Sequence, residues 1–229
     1  MAGDCDFLVD VGCDHGYVPI NLLENGKCRY AIATDIASGP LDKAIENAIS
    51  RGHKDKMEFF RSDGLNVQEL RDRILEISKR YKDSTLVIAG MGGKMICGIL
   101  HDAKDILSSF EHIIVQPQRD LYEVRETLLD LGYAIEDEKV IYEEGKYYFL
   151  IKSKIGDMSL SYEEKLFGPV ILKTKDQVFL KYLRYREEVI ESILCDLEGS
   201  TSEDSSVRKS DLQKELAVIK KMVPKDEGN

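Results

Sequence analysis

The chain has no tryptophan, and cysteine and proline each occur only five times among its 229 residues. The odd number of cysteines, none of them in Cys-x-x-Cys spacing, argues against a disulfide framework and against a zinc site. The four histidines show no metal-ligand spacing either. We therefore expect free thiols in a reducing compartment and no metal. The cysteines are Cys5, Cys13, Cys28, Cys97 and Cys195.

Long apolar runs are also missing. No segment approaches the roughly 20 apolar residues that a membrane helix needs. No charged-then-apolar secretory signal opens the chain. Hydrophobic content of 43% and charged content of 32% are ordinary for a globular protein. The length suits one α/β domain of about 150 residues with an appendage. These features predict a cytoplasmic protein without a membrane partner.

The chain has fewer basic than acidic residues, 32 against 42, and a net charge of −10. Since nucleic-acid binders usually carry a basic face, the total argues weakly against one. Unlike the chain as a whole, the segment from Lys165 to Arg186 is basic, with six basic residues and the single acid Asp176. Aromatic residues are interleaved with them: Phe179, Tyr182 and Tyr185. Such a face suits phosphates and unstacked bases. The alternative is a solvated face whose aromatic residues pack on a neighbouring helix.

The first two thirds of the chain alternate strand and helix patterns, which predicts a doubly wound parallel sheet. A late hairpin, residues 133–143 and 146–152 around a Glu-Gly-Lys turn, predicts an antiparallel last strand. This Rossmann-like α/β arrangement is the architecture of class I methyltransferases. The predicted parallel strands are residues 7–11, 30–35, 57–61, 85–89 and 112–117, and the predicted helices are residues 17–25, 40–50, 67–81, a segment through 96 and 100, and 121–131.

The last part of the chain changes character. Ser161 and Glu164 form a capping-box signature, and apolar residues at helical spacing predict long helices at 176–197 and 207–222, separated by a linker at 198–206. Two such stripes predict an antiparallel helical hairpin resembling a short coiled coil. We place a domain boundary between residues 1–157 and 158–229. The apolar stripe of the first helix is predicted at Val178, Tyr182, Tyr185, Val189, Ile193 and Leu197.

The turn after the first strand is the most informative feature. Gly12 and Gly16 fit a nucleotide-binding turn, but Asp14 stands where a dinucleotide fingerprint has its middle glycine. A carboxylate at that position repels a diphosphate and suits a ligand with hydroxyls or an amine. A nicotinamide-dependent oxidoreductase, which needs glycine there and has no late hairpin, is therefore the weaker interpretation.

Carboxylates recur at successive strand ends. Asp35 follows Gly12 by about 20 residues, the spacing at which an acid accepts hydrogen bonds from ribose hydroxyls. Asp63 can accept from an adenine amino group, and Asp10 or Asp14 can meet an ammonium group. Strand-end aspartates also cap turns and helices. Taken together they predict S-adenosylmethionine as the cofactor. The predicted cofactor-binding residues are Asp10, Gly12, Cys13, Asp35, Ile36, Asp63, Gly64 and Gly90.

A glycine run, Gly90-Met91-Gly92-Gly93, follows the fourth strand. Amino-group adenine methyltransferases carry an Asn/Asp-Pro-Pro-aromatic loop there, and this chain has no carboxamide, proline or aromatic residue in the run. Glycines let the backbone approach a ligand closely, although they also serve a tight turn. We expect a base held by backbone groups and methylated on a ring nitrogen. The predicted catalytic residues are Asp14, His15, Gly90, Met91, Gly92 and Gly93.

Several motifs together resemble a known family. "VDVGCDHGYVPI", "IAGMGGKMI", "IVQPQRD", "LLDLGYAIEDEKVIYEEGKYY" and "SYEEKLFGP" are similar to the bacterial tRNA methyltransferases that modify N1 of adenosine 22, over roughly residues 7 to 195. The resemblance implies a class I methyltransferase domain, a C-terminal helical coiled-coil domain, S-adenosylmethionine and a tRNA substrate. Two departures are Asp35, where the family usually has Glu, and Met1, where a basic helix usually precedes the first strand.

We also predict catalytic roles for two residues of the turn after the first strand. Asp14 would stabilise the cationic product, and His15 or a water would take the amino proton. We expect a monomer that binds tRNA and uses neither metal nor membrane. Two alternatives stay open: a class I methyltransferase acting on a small molecule or protein, and a non-catalytic RNA-binding scaffold. The residues predicted to contact RNA are Lys94, Arg119, Arg125, Lys173, Lys175, Lys181 and Arg184.

Overall fold

The computed structural model describes residues 4–197 and 203–223. In that part of the chain a seven-stranded sheet has the order β3-β2-β1-β4-β5-β7-β6. Strands β1 to β5 are parallel, and β7 runs antiparallel to both β5 and β6. The predicted α/β fold with an antiparallel last strand is confirmed. The strands are β1 (Cys5–Val11), β2 (Cys28–Asp35), β3 (Met57–Arg61), β4 (Ser84–Met91), β5 (His112–Pro117), β6 (Tyr133–Glu143) and β7 (Lys146–Ile155).

Helices cover both faces of the sheet and continue beyond it. Strand β1 is buried on both sides: Phe7 and Val9 point into one core layer, and Leu8 points into the other. Burial on both faces explains why β1 and β4 are continuous apolar runs in the sequence. The helices are α1 (Tyr17–Glu24), α2 (Ser38–Ser50), α3 (Gln68–Ser78), α4 (Gly93–Asp102), α5 (Leu121–Asp130), α6 (Tyr162–Phe167), α7 (Pro169–Thr174), α8 (Gln177–Asp196) and α9 (Glu203–Met222).

The strand order reverses between β1 and β4. The chain builds outward from β1 through β2 to β3, and then returns to add β4 and β5 on the other side. Ligands of open α/β sheets bind in the crevice beyond the carboxyl ends of the strands at such a reversal. The turn after β1 and the glycine run after β4 flank that crevice.

Two helix faces differ from the sequence prediction. The apolar spacing of residues 67–81 predicts that Leu75 points inward, but Leu75 is 37% exposed because α3 packs through Leu70, Ile74 and Ile77. In α8 the buried residues are Phe179, Leu183 and Ile190, whereas Tyr185 is 52% exposed. The stripe that we predicted through Tyr185 is therefore displaced, since α8 turns its Phe179 side towards the hairpin of β6 and β7.

The C-terminal helices share a core with that hairpin. Val140 and Phe149 from the sheet pack with Phe167, Phe179 and Ile219 from the helices. The predicted capping box at Ser161 is confirmed, with both reciprocal hydrogen bonds to Glu164. The boundary after residue 157 stays a prediction.

Helix α9 begins at Glu203, so residues 203–206, which we predicted as linker, are helical. Residues 198–202 of that linker lie outside the described residues. Helix α8 contacts α9 through the ion pairs Arg186–Glu215 and Glu191–Lys220. From the first pair to the second, the residue number increases on α8 and also on α9. In an antiparallel hairpin, a higher residue number on α8 would pair with a lower one on α9. These pairs mark a crossing of the two helices, and the coiled coil remains a prediction.

Candidate active site

Three residues in the turn after β1 have a left-handed backbone conformation. Gly12, Asp14 and Gly16 have φ values of 71°, 50° and 70°. The amide groups of Gly12 and Cys13 both donate to the Thr34 carbonyl, at 2.8 and 3.0 Å, which ties the turn to β2. A Cβ on Gly16 would lie 3.0 Å from the Cβ of Ala44 in α2, so glycine also lets the helix pack closely.

Asp35 at the end of β2 joins this turn. One of its carboxylate oxygens accepts from the Asp14 amide at 3.1 Å, and the other accepts from the Ala37 amide at 2.9 Å. The sequence prediction that Asp35 and Asp14 belong to one site is in accord with this contact. Each carboxylate oxygen has a second lone pair, so Asp35 can brace the turn and still accept from a ligand hydroxyl.

Asp10 lies on β1 just before the turn and is only 4% exposed. Burial, with the charge of Asp35 as the second cause, raises its pKa to about 7. No donor in the described chain makes a hydrogen bond to this carboxylate. A cationic ligand group would stabilise its charged form. The same burial, followed by the charges of Asp10 and Asp35, raises the pKa of the Cys13 thiol to about 12. Cys13 is thus a neutral part of the turn.

Asp14 and His15 form the open side of the site. The Asp14 side chain is 70% exposed, and its Oδ1 lies 3.5 Å from Nε2 of His15. The His15 carbonyl accepts from the Asn47 side chain at 2.9 Å, which fixes the backbone behind the imidazole. The ring centroid of exposed Tyr17 lies 5.6 Å from that of His15. No sequence pattern singled out Tyr17, because one exposed tyrosine in a helix carries no distinctive signal.

The glycine run bulges out of β4 and is held by two glutamines. Gly90 has a φ of 75°, and the pairing with β5 shifts between Ala89 and Met91. The Gly90 amide donates to Oε1 of Gln116 at 3.0 Å, and its carbonyl accepts from Nε2 of Gln118 at 2.8 Å. These glutamines were not predicted as site residues, although both lie in the motif "IVQPQRD".

The turn and the glycine run touch each other. A Cβ on Gly12 would overlap the terminal methyl group of Met91. On the other side, a Cβ on Gly93 would overlap the carbonyl oxygen of Arg119, and Nε of Arg119 lies 3.4 Å from the Cβ position of Gly92. The glycines therefore allow close approach of two backbone segments, and the predicted catalytic and cofactor residues lie together.

The remaining predicted cofactor-binding residues follow β2 and β3, at the same edge of the sheet. Ile36 is 60% exposed after β2. Asp63 is exposed after β3, and the neighbouring Gly64 has a φ of 58° and accepts from the Thr34 hydroxyl at 3.4 Å. The Ser62 hydroxyl beside them is buried without a hydrogen-bond partner. A buried hydroxyl at this edge is available to a ligand, and the sequence marked it only as part of a turn.

One predicted RNA contact is wrong. Arg125 is fully buried: its Nε donates to Glu138 at 2.7 Å, and Nη1 donates to the Lys165 and Leu166 carbonyls. It links α5, β6 and α6 and cannot reach a phosphate. The other predicted RNA contacts are exposed, and Lys94 and Arg119 lie beside the glycine run. The exposed set is Lys94, Arg119, Lys173, Lys175, Lys181 and Arg184.

Residues 4–197 and 203–223 contain no cluster of His, Cys, Asp and Glu side chains suited to a metal ion. Over those same residues, no helix has the length and apolarity to cross a bilayer.

Comparisons with known proteins agree on one family. A family model described as tRNA (adenine(22)-N(1))-methyltransferase matches residues 8–221. The Bacillus subtilis protein of that name is 29% identical over 226 residues, covering 94% of this chain and 90% of the relative. A putative tRNA methyltransferase of Mycoplasma pneumoniae is 28% identical over 177 residues, 76% of each chain.

Solved structures have the same fold over nearly the whole chain. The crystal structure of a putative tRNA (m1A22) methyltransferase of Streptococcus pneumoniae, in complex with S-adenosyl-L-methionine, has a TM-score of 0.82 at 29% identity. It covers 98% of this chain and 95% of that one. The B. subtilis m1A22 tRNA methyltransferase gives a TM-score of 0.82 at 28% identity, with coverage of 97% and 94%.

Proposed function

The chain belongs to the tRNA (adenine(22)-N(1))-methyltransferase family, and on that premise we propose that its strand-end site methylates N1 of adenosine 22 in tRNA. The methyl donor is S-adenosylmethionine, which is bound in a related structure. The observation that carries the proposal is the contact between two segments: Met91 of the glycine run packs on Gly12 of the cofactor turn. Asp14 is exposed and His15 is half-buried beside that contact.

The residues present fit S-adenosylmethionine. Asp10 is a buried carboxylate with no donor in the described chain, and it suits the ammonium group of the amino-acid moiety. Asp35 has free lone pairs for ribose hydroxyls, and Asp63 is exposed for an adenine amino group. Asp14 in the turn disfavours a diphosphate ligand. When bound, the cofactor supplies an electrophilic methyl group on a cationic sulfur.

Adenine N1 is itself a nucleophile, so the chain's own task is mainly positioning. The adenosine must leave its stack in the folded tRNA to reach the site. Gln116 and Gln118 hold Gly90, and the Gly90 amide is thereby occupied. We therefore assign Gly90 to shaping the loop, and Met91, Gly92 and Gly93 to lining the base.

Asp14 and His15 lie where the methylated base carries its positive charge. The exposed Asp14 carboxylate stabilises that cation, and His15, whose Nε2 is 3.5 Å from Asp14, accepts the proton from the adenine amino group. Neither role requires a metal. Transfer consumes the charge of the sulfonium and creates charge on the base, so a nearby carboxylate favours the product side.

We assign tRNA binding to surfaces on both parts of the chain. Lys94 and Arg119 flank the glycine run and suit the phosphates next to the target. Lys173, Lys175 and Lys181 on α7, α8 and the link between them would hold a more distant part of the tRNA, with Arg184 on the same helix. In this proposal residues 1–157 bind the cofactor and the target nucleotide with its phosphates, and residues 158–229 hold the rest of the tRNA, in a cytoplasmic monomer.

A methyl-transfer assay on unmodified tRNA tests the function. We expect one methyl group per tRNA, which nucleoside mass spectrometry identifies as N1-methyladenosine at position 22, and none on a tRNA with guanosine at that position. Transfer to protein or to small molecules alone would contradict the proposal. Binding of tRNA without any transfer would favour the non-catalytic scaffold.

Asp35→Ala tests the cofactor assignment. We expect S-adenosylmethionine binding, measured by calorimetry, to fall with methyl transfer, because the ribose contact and the brace under Asp14 are both lost. Asp157→Ala is the matched control, since Asp157 is an exposed aspartate after β7, at the opposite edge of the sheet. Normal cofactor affinity in Asp35→Ala would show that the assignment is wrong.

A further inference from the structure

A second concave surface lies next to the glycine run. It is a groove of about 740 Å³ between the start of α5, the tip of the β6–β7 hairpin and helix α8. We call it the tyrosine groove. Arg119, which touches Gly92, lies at one end, and Glu215 of α9 lies at another. Gln118 also lines it and joins it to the glycine run, and none of the predicted cofactor-binding residues lines it.

Aromatic rings dominate this groove. The Tyr147 ring lies 5.3 Å from that of Tyr182 and 5.6 Å from that of Tyr185, and Tyr122 is among the other aromatic residues of the lining. Tyr182 is half-buried, with burial raising its pKa to about 12, whereas Tyr185 is 52% exposed. The groove thus offers aromatic surface at its mouth and a rigid aromatic base below.

The charged side chains that line the tyrosine groove balance in sign, and towards the glycine run Arg119 lies 3.7 Å from the Asp120 carboxylate, with Glu123 nearby in the lining. Arg186 donates two hydrogen bonds to Glu215, at 2.6 and 2.8 Å, so that both charges are compensated. Exposed Lys146 at the hairpin tip and exposed Arg119 border the groove. A neutral aromatic surface next to cations fits an unstacked base whose phosphate stays at the rim.

The position of the groove separates it from the reacting base. Val115 of β5 pairs with Ile151 of β7, so Tyr147, four residues earlier in the antiparallel strand, lies beyond the carboxyl end of β5. This is the same edge of the sheet as the cofactor turn. Three strand spacings separate β7 from β1, which is about 14 Å. We therefore place the adenine in line with the methyl donor beside β1 and β4, apart from a base that stacks on Tyr185.

We propose that the tyrosine groove binds an unstacked nucleobase of the tRNA, a neighbour of the adenosine that is methylated. The inference rests on the proposed function and adds a second base-binding subsite to it. Stacking of the neighbour anchors the tRNA strand beside the glycine run and so strengthens tRNA binding. Every base has an aromatic face, so this contact supports affinity without strict sequence preference.

Tyr185→Ala, Tyr185→Leu and Tyr185→Phe test the groove in the full-length protein. We expect Tyr185→Ala to raise the KM for tRNA about 5- to 150-fold, the range of base–aromatic stacking. Tyr185→Phe restores the KM because it keeps the ring, and Tyr185→Leu does not. The kcat at saturating tRNA and the affinity for S-adenosylmethionine stay unchanged. Ile155→Ala is the control, since Ile155 is 55% exposed at the opposite edge of the sheet.

A fluorescence measurement supplies an independent readout. The probes are two otherwise unmodified tRNAs, in each of which 2-aminopurine replaces the nucleotide on one side of adenosine 22. The fluorescence emission of 2-aminopurine reports its stacking on a protein ring. We expect one of the two positions to change emission with the wild type and with Tyr185→Phe, and to change much less with Tyr185→Ala. Changes that are the same for all three proteins would overturn the groove assignment.

Failure of the inference differs from failure of the proposed function. A wild-type protein that transfers no methyl group to tRNA overturns the function. A wild-type protein that methylates adenosine 22, with an unchanged KM in Tyr185→Ala, overturns only the tyrosine groove. Rescue by Tyr185→Leu as complete as that by Tyr185→Phe would also overturn stacking, because leucine has no flat ring.

Discussion

Asp10→Asn removes the most strongly perturbed carboxyl group of the cofactor site. Burial of Asp10, and next the charge of Asp35, raises its pKa to about 7. An aspartate in an unfolded chain has a pKa of about 3.9. The folded protein therefore holds this proton more tightly, so the contribution of Asp10 to the free energy of unfolding is highest at low pH and is lost as the pH rises through 7.

The size of the effect follows from the two pKa values. They differ by about 3 units, and each unit corresponds to about 1.4 kcal/mol, so the ionised Asp10 costs the free protein about 4 kcal/mol above pH 7. Asparagine has nearly the same shape and cannot ionise. Relative to the wild type, Asp10→Asn should thus gain stability progressively between pH 4 and pH 8.

Urea unfolding of both proteins across that pH range measures the difference. We expect the difference in unfolding free energy to change by up to about 4 kcal/mol, with most of the change below pH 7. Asp157→Asn, at an exposed site, should leave the pH dependence as it is in the wild type. A difference for Asp10→Asn that stays constant within about 0.5 kcal/mol would refute the raised pKa.

Asp10→Asn also tests whether Asp10 binds the cofactor or only lowers the stability of the free protein. If Asp10 meets the ammonium group of the cofactor, the wild-type affinity for S-adenosylmethionine rises from pH 5 to pH 7, as Asp10 ionises. Asp10→Asn should bind more weakly, and its affinity should lack that rise. Calorimetric titrations with equal affinity and equal pH dependence in both proteins would remove Asp10 from the cofactor site.

Two further predictions concern buried contacts. Arg125→Leu leaves the Glu138 carboxylate buried without its partner and should cost about 3–5 kcal/mol in urea unfolding. Lys165→Ala, which breaks an ion pair with a partly exposed Glu126, should cost less than about 1 kcal/mol, and equal losses would contradict the distinction. Gly93→Ala places a methyl group against the Arg119 carbonyl and should impair methyl transfer and stability. Gly98→Ala in the same helix meets nothing within 4 Å and should be neutral or stabilising by about 0.5–1 kcal/mol, so similar activity in both variants would refute the close approach.

Much of the fold could be predicted because its signals are local. The bounds of β3 and β5 agree exactly with the sequence prediction, and the hairpin of β6 and β7 is marked by its Glu-Gly-Lys turn. Which side of a helix faces the core depends less on local sequence and more on the neighbouring elements. Leu75 and Tyr185 were expected to be inside, but each helix turned towards the neighbour that offered the better packing.

The site divides in the same way. The sequence by itself determined that Asp10, Asp35 and the glycine run lie at the ends of strands, and parallel strands bring their carboxyl ends to one edge. It also determined the left-handed turn, since Gly12 and Gly16 tolerate a positive φ at little cost. The family resemblance rests on these segments.

Only the tertiary structure decided what the remaining side chains do. Arg125 looks like a phosphate contact in the sequence, but its partner Glu138 lies on another element, and its carbonyl acceptors lie 40 and 41 residues away. The clamp of Gln116 and Gln118 on Gly90 and the rings around Tyr147 also join distant segments. Such contacts depend on how separate elements pack, and short-range sequence patterns do not encode the distances between them.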